Sequence, residues 1–153
     1  IKDKKYYNFE KRDWLKYKAV VLCQRTTPDF NFKPLVERIS SFKDLEGFDL
    51  IVCCADNVIV RKIVFEYCHK NNKEFIDLRA EGRLVFAMPK GKSIDEDLKT
   101  LDLKDEALGS CQKESDLQKG QIQKGYKIAS AIGIQMILNF FRGEKNSKVV
   151  LRI

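Results

Sequence analysis

The sequence predicts a single α/β domain with a mostly parallel sheet and helices on both faces. Segments with helical periodicity alternate with short apolar runs, the order expected of parallel strands joined by helical crossovers. Residues 50–55 form a continuous apolar run of strand length, which is typical of a strand buried on both faces. A chain of 153 residues, 44% of them hydrophobic, also has enough apolar material for one compact core.

The part of the chain before this run is expected to contain a helix and a short strand. Apolar residues at nearly helical spacing predict a helix over residues 13–25, and Pro28 follows its end. Residues 34–39 predict a short strand. A loop then leads to the apolar run at residues 50–55.

A helix with one buried face is predicted over residues 58–69, and Asn71 and Asn72 follow its end. Its apolar residues recur at positions i, i+3, i+4, i+7 and i+8. These residues are Val60, Ile63, Val64, Tyr67 and Cys68. His69, the single histidine, is expected to be a solvated residue at the helix end without a functional role.

The second half of the chain is predicted to hold two strands, an irregular segment and a long helix. The strands are residues 75–78 and 84–88, joined near Gly82. Residues 94–118 alternate between acidic and basic side chains and contain few large apolar ones, so we expect a mobile crossover loop there. The long helix is predicted over residues 121–141.

The glycines of the long helix indicate how it packs. Gly125 and Gly133 allow a neighbouring element to approach closely, and Gly143 is a natural C-terminal stop. Residues 148–153 are expected to form an edge strand or a tail. The broad apolar face is predicted to contain Ile122, Ala129, Ile132, Met136, Ile137 and Phe140.

Charge and composition narrow the functional classes. The net charge of +7 suggests nucleic-acid binding, but the lysines are interleaved with acids instead of forming one stripe with aromatic residues, so nucleic acid is not the expected partner. No run of eighteen apolar residues occurs and the first twelve residues are too charged for a signal sequence, so no membrane association is expected. Five cysteines without disulfide spacing predict an intracellular, cytoplasmic protein.

Asp56 and Asn57 follow the central apolar run directly. Ligands of open α/β sheets bind at the carboxyl ends of the strands, where a carboxylate can hold Mg²⁺ on a triphosphate. The alternative is that the Asp-Asn pair caps the helix that follows. Both interpretations remain open from these two residues alone.

Six segments, in order along the chain, resemble the ThiF/MoeB-type adenylyltransferases, which are related to the ubiquitin-activating enzymes. They are DKKYYNFEKR at residues 3–12, Lys18-Ala19, Thr27-Pro28-Asp29, FDLIVCCADN at residues 48–57, IDLRAEGRLVFAM at residues 76–88 and GQIQKGYKIASAIGIQMILNFFRGE at residues 120–144. The resemblance implies an incomplete Rossmann-like sheet. It also implies ATP-dependent adenylation of a carboxylate, commonly the C-terminal glycine of a ubiquitin-like or sulfur-carrier protein, by an enzyme that works as a homodimer or heterodimer.

The resemblance also implies roles for individual residues. Those expected to bind ATP and its Mg²⁺ are Asp3, Asn8, Lys11, Arg12, Lys18, Asp56 and Asn57. Within this set, Asp56 would hold Mg²⁺ and Asp3 would bind the ribose. Lys18, with either Lys11 or Arg12, would contact phosphates, and Asn8 would orient that cluster.

Two departures from the family pattern matter. The glycine-rich phosphate loop of the family lies upstream of the segment that begins at Asp3, and no G-x-G-x-x-G occurs in the sequence. The chain also begins with Ile1, so we expect a C-terminal piece of a longer enzyme, inactive by itself. The alternative is a non-catalytic pseudo-adenylyltransferase that binds a ubiquitin-like partner.

The second departure concerns zinc. No CxxC pair occurs, and structural zinc is therefore not expected.

The cysteines divide into one loop residue and four predicted core residues. Cys111 lies in the predicted loop and matches the position of the family's crossover-loop cysteine, which in some relatives attacks the acyl-adenylate. A catalytic nucleophile and an inert thiol are both open for Cys111. Cys53 and Cys54 are expected in the buried strand, and Cys23 and Cys68 on buried helix faces.

Overall fold

The computed structural model describes residues 16–25, 33–81, 83–101, 118 and 124–152. The chain divides into two compact units, residues 1–38 and residues 39–153. The first unit contains helix α1 (Lys18–Arg25), in which Val21 is buried. The predicted helix was longer, and its residues 13–15 lie outside the described part of the chain.

The second unit contains a four-stranded sheet in the order β1-β2-β3-β4. The strands are β1 (Leu50–Cys53), β2 (Glu74–Glu81), β3 (Leu84–Pro89) and β4 (Val149–Arg152). β1 and β2 are parallel, whereas β2 with β3 and β3 with β4 are antiparallel.

This mixed sheet confirms the α/β class and is consistent with an incomplete Rossmann-like domain. The expectation of a mostly parallel sheet was wrong for the described strands. Only Gly82 and Arg83 separate β2 from β3, and a connection this short can join only antiparallel strands, because a parallel crossover needs a dozen residues or more. β4 is an edge strand of the described sheet, which is one of the two alternatives predicted for residues 148–153.

Helices cover both faces of the sheet. On one face lie α2 (Val58–Lys70), α3 (Ile94–Lys99) and a 3-10 turn (Phe42–Leu45), and on the other lies α4 (Gly125–Phe141). Because side chains alternate between the faces of a sheet, Phe75 and Phe86 enter the core beneath α2. Their neighbours Ile76 and Ala87 enter the core beneath α4.

The buried face of α2 differs from the predicted one. The residues buried on α2 are Arg61, Val64, Phe65, Tyr67 and Cys68. Val60 and Ile63, predicted on this face, are only half-buried. The face is therefore turned so that a charged residue, Arg61, replaces Val60 in the interior.

Helix α4 packs on the sheet through a glycine, as predicted. A Cβ atom at Gly133 would lie 2.4 Å from Cδ1 of Leu78 on β2, so a larger residue there would require the Leu78 side chain to move. Gly125 is also buried. Gly143 has a φ of 69°, which is the left-handed conformation expected of a residue that ends a helix.

Two segments differ from their predictions. Residues 34–39 form neither helix nor strand, and Leu35 and Val36 are exposed. Strand propensity alone did not produce a strand here because strands require a pairing partner. The segment predicted as a loop from residue 94 begins with α3, whose Ser93 side chain accepts a hydrogen bond from the Glu96 amide at 3.3 Å. Residues 102–117 of that segment are outside the described residues.

Strand β1 is shorter and less buried than predicted. It ends at Cys53, Leu50 and Ile51 are half-buried, and Val52 is 37% exposed. Burial on both faces was therefore a wrong expectation for Val52, since β1 is an edge strand of the described sheet. None of the described helices is long and apolar enough to span a membrane.

Candidate functional site

The candidate site lies where β1 ends and α2 begins. Asn57 caps α2, because its Oδ1 accepts a hydrogen bond from the Ile59 amide at 2.8 Å. Asp56 is exposed, and no described residue donates a hydrogen bond to its carboxylate. The cap therefore belongs to Asn57 alone, and the Asp56 carboxylate remains available to a ligand.

Arg61 fixes the backbone just before Asp56. This arginine lies one turn into α2 and is 4% exposed. Its Nη2 donates a hydrogen bond to the Ala55 carbonyl, and its Nη1 pairs with Oδ1 of Asp77 on β2. The loop that carries Asp56 is thus tied to the second strand through a buried side chain.

Asp77 is the centre of a buried charged network. It lies opposite Cys53 in the parallel register and is 0% exposed. Its Oδ2 accepts from Nε of Arg79 at 2.7 Å, while its Oδ1 pairs with Arg61. One carboxylate is therefore shared by two guanidinium groups.

The network carries a surplus of positive charge. Burial lowers the pKa of Arg61 and of Arg79, and for Arg61 the nearby Asp56 carboxylate acts in the opposite direction. Two guanidinium charges against the single Asp77 carboxylate leave one positive charge in the interior beside the Asp56 loop. That charge favours an anion at the end of β1.

Arg79 extends the network to the end of α3. Its Nη1 donates to the Thr100 carbonyl at 2.8 Å, and its Nη2 donates to Thr100 Oγ1 at 3.0 Å. The guanidinium also lies 4.7 Å from the centre of the Phe86 ring, a favourable cation–π distance. The network therefore joins Ala55, before Asp56, to Thr100, which precedes the segment that contains Cys111.

A second polar pair joins α2 to α3. His69 Nε2 lies 2.7 Å from Oδ2 of Asp97, which is buried. Both Asp97 oxygens also accept from the Gly91 amide, at 3.1 and 3.0 Å, and a Cβ atom at Gly91 would lie 2.5 Å from Asp97 Oδ1. The expectation that His69 is solvated was wrong, because its ring is half-buried and fastens two helices together.

Three of the predicted site residues lie in the described part of the chain. Asp56 and Asn57 are described, and Lys18 is the first residue of α1 in the other unit, with its side chain not described. The remaining predicted residues lie outside the described part of the chain. They are Asp3, Asn8, Lys11, Arg12 and Cys111.

The described cysteines divide differently from the prediction. Cys53 and Cys68 are buried as expected, and burial raises the pKa of both thiols, that of Cys68 to about 12. Cys23 is half-buried. Cys54 is exposed, so its assignment to the core was wrong, because β1 ends one residue earlier.

Sequence reasoning missed the buried network, although signals for it exist. Arg61 lies three, four and seven residues before Val64, Phe65 and Cys68, which places it on the same helix face. Asp77 likewise stands inside a predicted apolar strand. Charged residues at buried positions of two elements indicate a pair, since lone buried charges are too costly.

A metal ion at this site would need a bound phosphate ligand as well as the protein to complete its coordination. Among the described residues, no three histidine, cysteine or acidic side chains lie together as metal ligands. Mg²⁺ is commonly held by one or two carboxylates and completed by phosphate oxygens and water. The single exposed carboxylate of Asp56 fits that mode of binding.

Fold and site together define an α/β protein whose candidate ligand position is the carboxyl end of a sheet strand. The chain matches the ThiF family over residues 6–149 and belongs to that family. Membership suggests adenylyltransferase-like activity of the ubiquitin-activating kind. No curated protein and no solved structure matches the chain.

Proposed function

We propose that this chain is part of an enzyme that adenylates a carboxylate with ATP, and that the carboxylate is the C-terminus of a ubiquitin-like or sulfur-carrier protein. The observation that carries the proposal is the exposed Asp56 at the end of β1, in a chain of the ThiF family. A homodimer or a heterodimer would be the active assembly.

The chemistry requires stabilised charge more than covalent help from the protein. The partner's carboxylate attacks the α-phosphorus of ATP, an acyl-adenylate forms, and pyrophosphate leaves. Mg²⁺ would neutralise the charge that develops on the phosphate oxygens. Asp56 would bind this ion, and Arg61 would keep the Asp56 loop in place through the Ala55 carbonyl.

The other residues of the proposed site come from the family resemblance. Lys18, with Lys11 or Arg12, would contact the phosphates. Asn8 would orient these cations, and Asp3 would bind the ribose. Asn57 would contribute by capping α2 next to the nucleotide.

ATP–pyrophosphate exchange tests the proposal. The full-length protein that carries these residues should catalyse exchange that depends on Mg²⁺ and on its carboxylate partner. The 153-residue chain by itself should give none, because it contains no glycine-rich phosphate loop. Absence of exchange from the full-length protein with its partner would contradict an adenylating function.

A non-catalytic subunit that binds a ubiquitin-like protein is the second candidate. It is favoured by one observation, the absence of a G-x-G-x-x-G segment from the sequence. Partner binding without any exchange, in the full-length protein, would support this candidate over the first.

Cys111 is proposed as the nucleophile that accepts the acyl group. Its thiolate would attack the carbonyl of the acyl-adenylate, a thioester would form, and AMP would leave. Incubation of the full-length protein with ATP and its partner should then yield a thiol-sensitive adduct, which Cys111→Ala removes. Cys54→Ser is the matched control, since Cys54 is exposed and has no proposed role. Normal acyl transfer by Cys111→Ala would leave Cys111 as an inert thiol.

A further inference from the structure

A cleft of about 720 Å³ lies between the end of β3, helix α3 and the segment that precedes β4. Met88 and Pro89 form part of its lining, and most of the other lining residues are charged. Five lysines also line it, contributed by three separate segments of the chain. They are Lys90, Lys92, Lys99, Lys145 and Lys148.

Four of these five lysines have no ion-pair partner among the described residues. Lys90 is already engaged, because its Nζ pairs with Glu74 at 3.1 Å and donates to the Lys73 carbonyl at 2.9 Å. The other four, Lys92, Lys99, Lys145 and Lys148, are exposed. They form the basic side of the cleft.

The acidic residues of the cleft do not neutralise this charge. Asp97 is buried and is bound by His69 and by the Gly91 amide. Glu96 accepts a hydrogen bond from the Lys92 amide at 3.3 Å and is the other acidic residue of the lining in the described part of the chain. Among the described residues, four lysines without an ion-pair partner against the two carboxylates of Glu96 and Asp97 leave the lining with a net positive charge, and a positively charged wall concentrates anionic ligands.

An aromatic ring holds one of these lysines at the cleft. The Lys148 ammonium lies 4.9 Å from the centre of the Phe86 ring, the same ring that Arg79 contacts. Through Arg79, the cleft is connected to Thr100 and to the network behind the Asp56 loop. The cleft and the Asp56 site are therefore two separate features, and the Arg79 side chain connects them.

The cleft lacks the features of a phosphate or nucleic-acid site. Helix α3 already has Asp95, Glu96 and Asp97 in its first turn, so its amino end does not attract another anion. Among the described residues, no arginine lines the cleft to bind a phosphate bidentately, and no aromatic side chain lines it to stack on bases. Flexible lysines from three segments instead suit carboxylates distributed along an extended chain.

We propose that this cleft binds an acidic segment of the protein partner. The identity of that partner as the protein to be adenylated rests on the proposed function, whereas binding of an acidic chain does not. Charges at such a surface act mainly on the rate and selectivity of association. The cleft would therefore recruit and orient the partner without taking part in the chemistry.

A charge-reversal pair tests the cleft without ATP. The probe is a short fluorescent polyglutamate peptide, and binding is measured by anisotropy at low and at physiological salt. Lys145→Glu with Lys148→Glu should raise the dissociation constant by about tenfold or more and flatten its salt dependence. The control, Lys43→Glu with Lys127→Glu, makes the same change of charge at exposed lysines outside the cleft and should change binding by less than about twofold.

Three outcomes would overturn the proposal. Equal weakening by both double variants would mean that the peptide responds only to overall charge. Tighter binding of tripolyphosphate, or of single-stranded DNA, lost in the cleft variant, would assign the cleft to phosphates. Unchanged peptide binding in a cleft variant that folds, checked by circular dichroism, would exclude the cleft, and Lys145→Gln with Lys148→Gln provides the same test if the first variant does not fold.

The full-length protein supplies a second readout. The cleft variant should raise the KM for the protein partner in pyrophosphate exchange and leave the KM for ATP unchanged. Peptide binding with no exchange would contradict the adenylation proposal alone, whereas exchange with an unchanged KM for the partner would contradict the cleft alone.

Discussion

Replacing Asp77 with asparagine is expected to lower the free energy of unfolding by about 3 to 5 kcal/mol. Asp77 is fully buried and is the counter-charge for both Arg61 and Arg79. Asparagine keeps the size of the side chain but leaves the buried Arg61 and the half-buried Arg79 without an opposite charge. Urea unfolding followed by circular dichroism measures the loss.

Asp49→Asn is the matched control for this substitution. Asp49 also forms an ion pair with a basic side chain, Lys73 at 2.8 Å, but its carboxylate is exposed. Exposed pairs contribute little to stability, so this variant should unfold close to the wild type. If Asp77→Asn were as stable as Asp49→Asn, the buried network would not be a structural requirement of the fold.

Replacing Asp56 with alanine is expected to reduce ATP–pyrophosphate exchange by the full-length protein by at least about a hundredfold. Loss of a metal-binding carboxylate removes several kcal/mol, in order of magnitude, of transition-state stabilisation. Because Asp56 is exposed and receives no hydrogen bond from the described residues, the urea midpoint should not change. The activity loss should therefore occur in a normally folded protein.

Asp49→Ala provides the comparison, since Asp49 and Asp56 flank the two ends of β1 and are both exposed. Only the carboxylate at the carboxyl end should affect exchange. Wild-type exchange by Asp56→Ala would show that this carboxylate binds no metal, and an equal loss from both variants would point to a general charge effect.

The sequence was sufficient for the parts of the fold that depend on local pattern. One of the two interpretations of the Asp-Asn pair was a cap for the helix that follows the strand, and the structure assigns this cap to Asn57. The helix from Val58 ends one residue later than predicted, at Lys70. Gly133 and Gly143 act as their positions suggested, because close approach and a left-handed φ are requirements that glycine meets without steric cost.

The parts that were missed depend on partners distant in the chain. The interior position of Arg61 makes sense only with Asp77 across from it, and helical periodicity contains no information about that pairing. His69 is likewise half-buried because Asp97, on another helix, faces it. β3 runs antiparallel to β2 because only Gly82 and Arg83 connect the two strands. The prediction of parallel strands rested on the alternation of helices and strands and did not take this short connection into account.

The contact between Gly91 and Asp97 limits how this part of the chain can vary during evolution. An alanine at position 91 would bring its Cβ within 2.5 Å of the carboxylate, which would have to shift and would disturb its contacts with the Gly91 amide and His69. Positions 69, 91 and 97 are therefore expected to vary together or not at all. Lys92, Lys99, Lys145 and Lys148 have no ion-pair partner among the described residues and face no such constraint, so the charge of the cleft is expected to vary more freely than the wall beneath it.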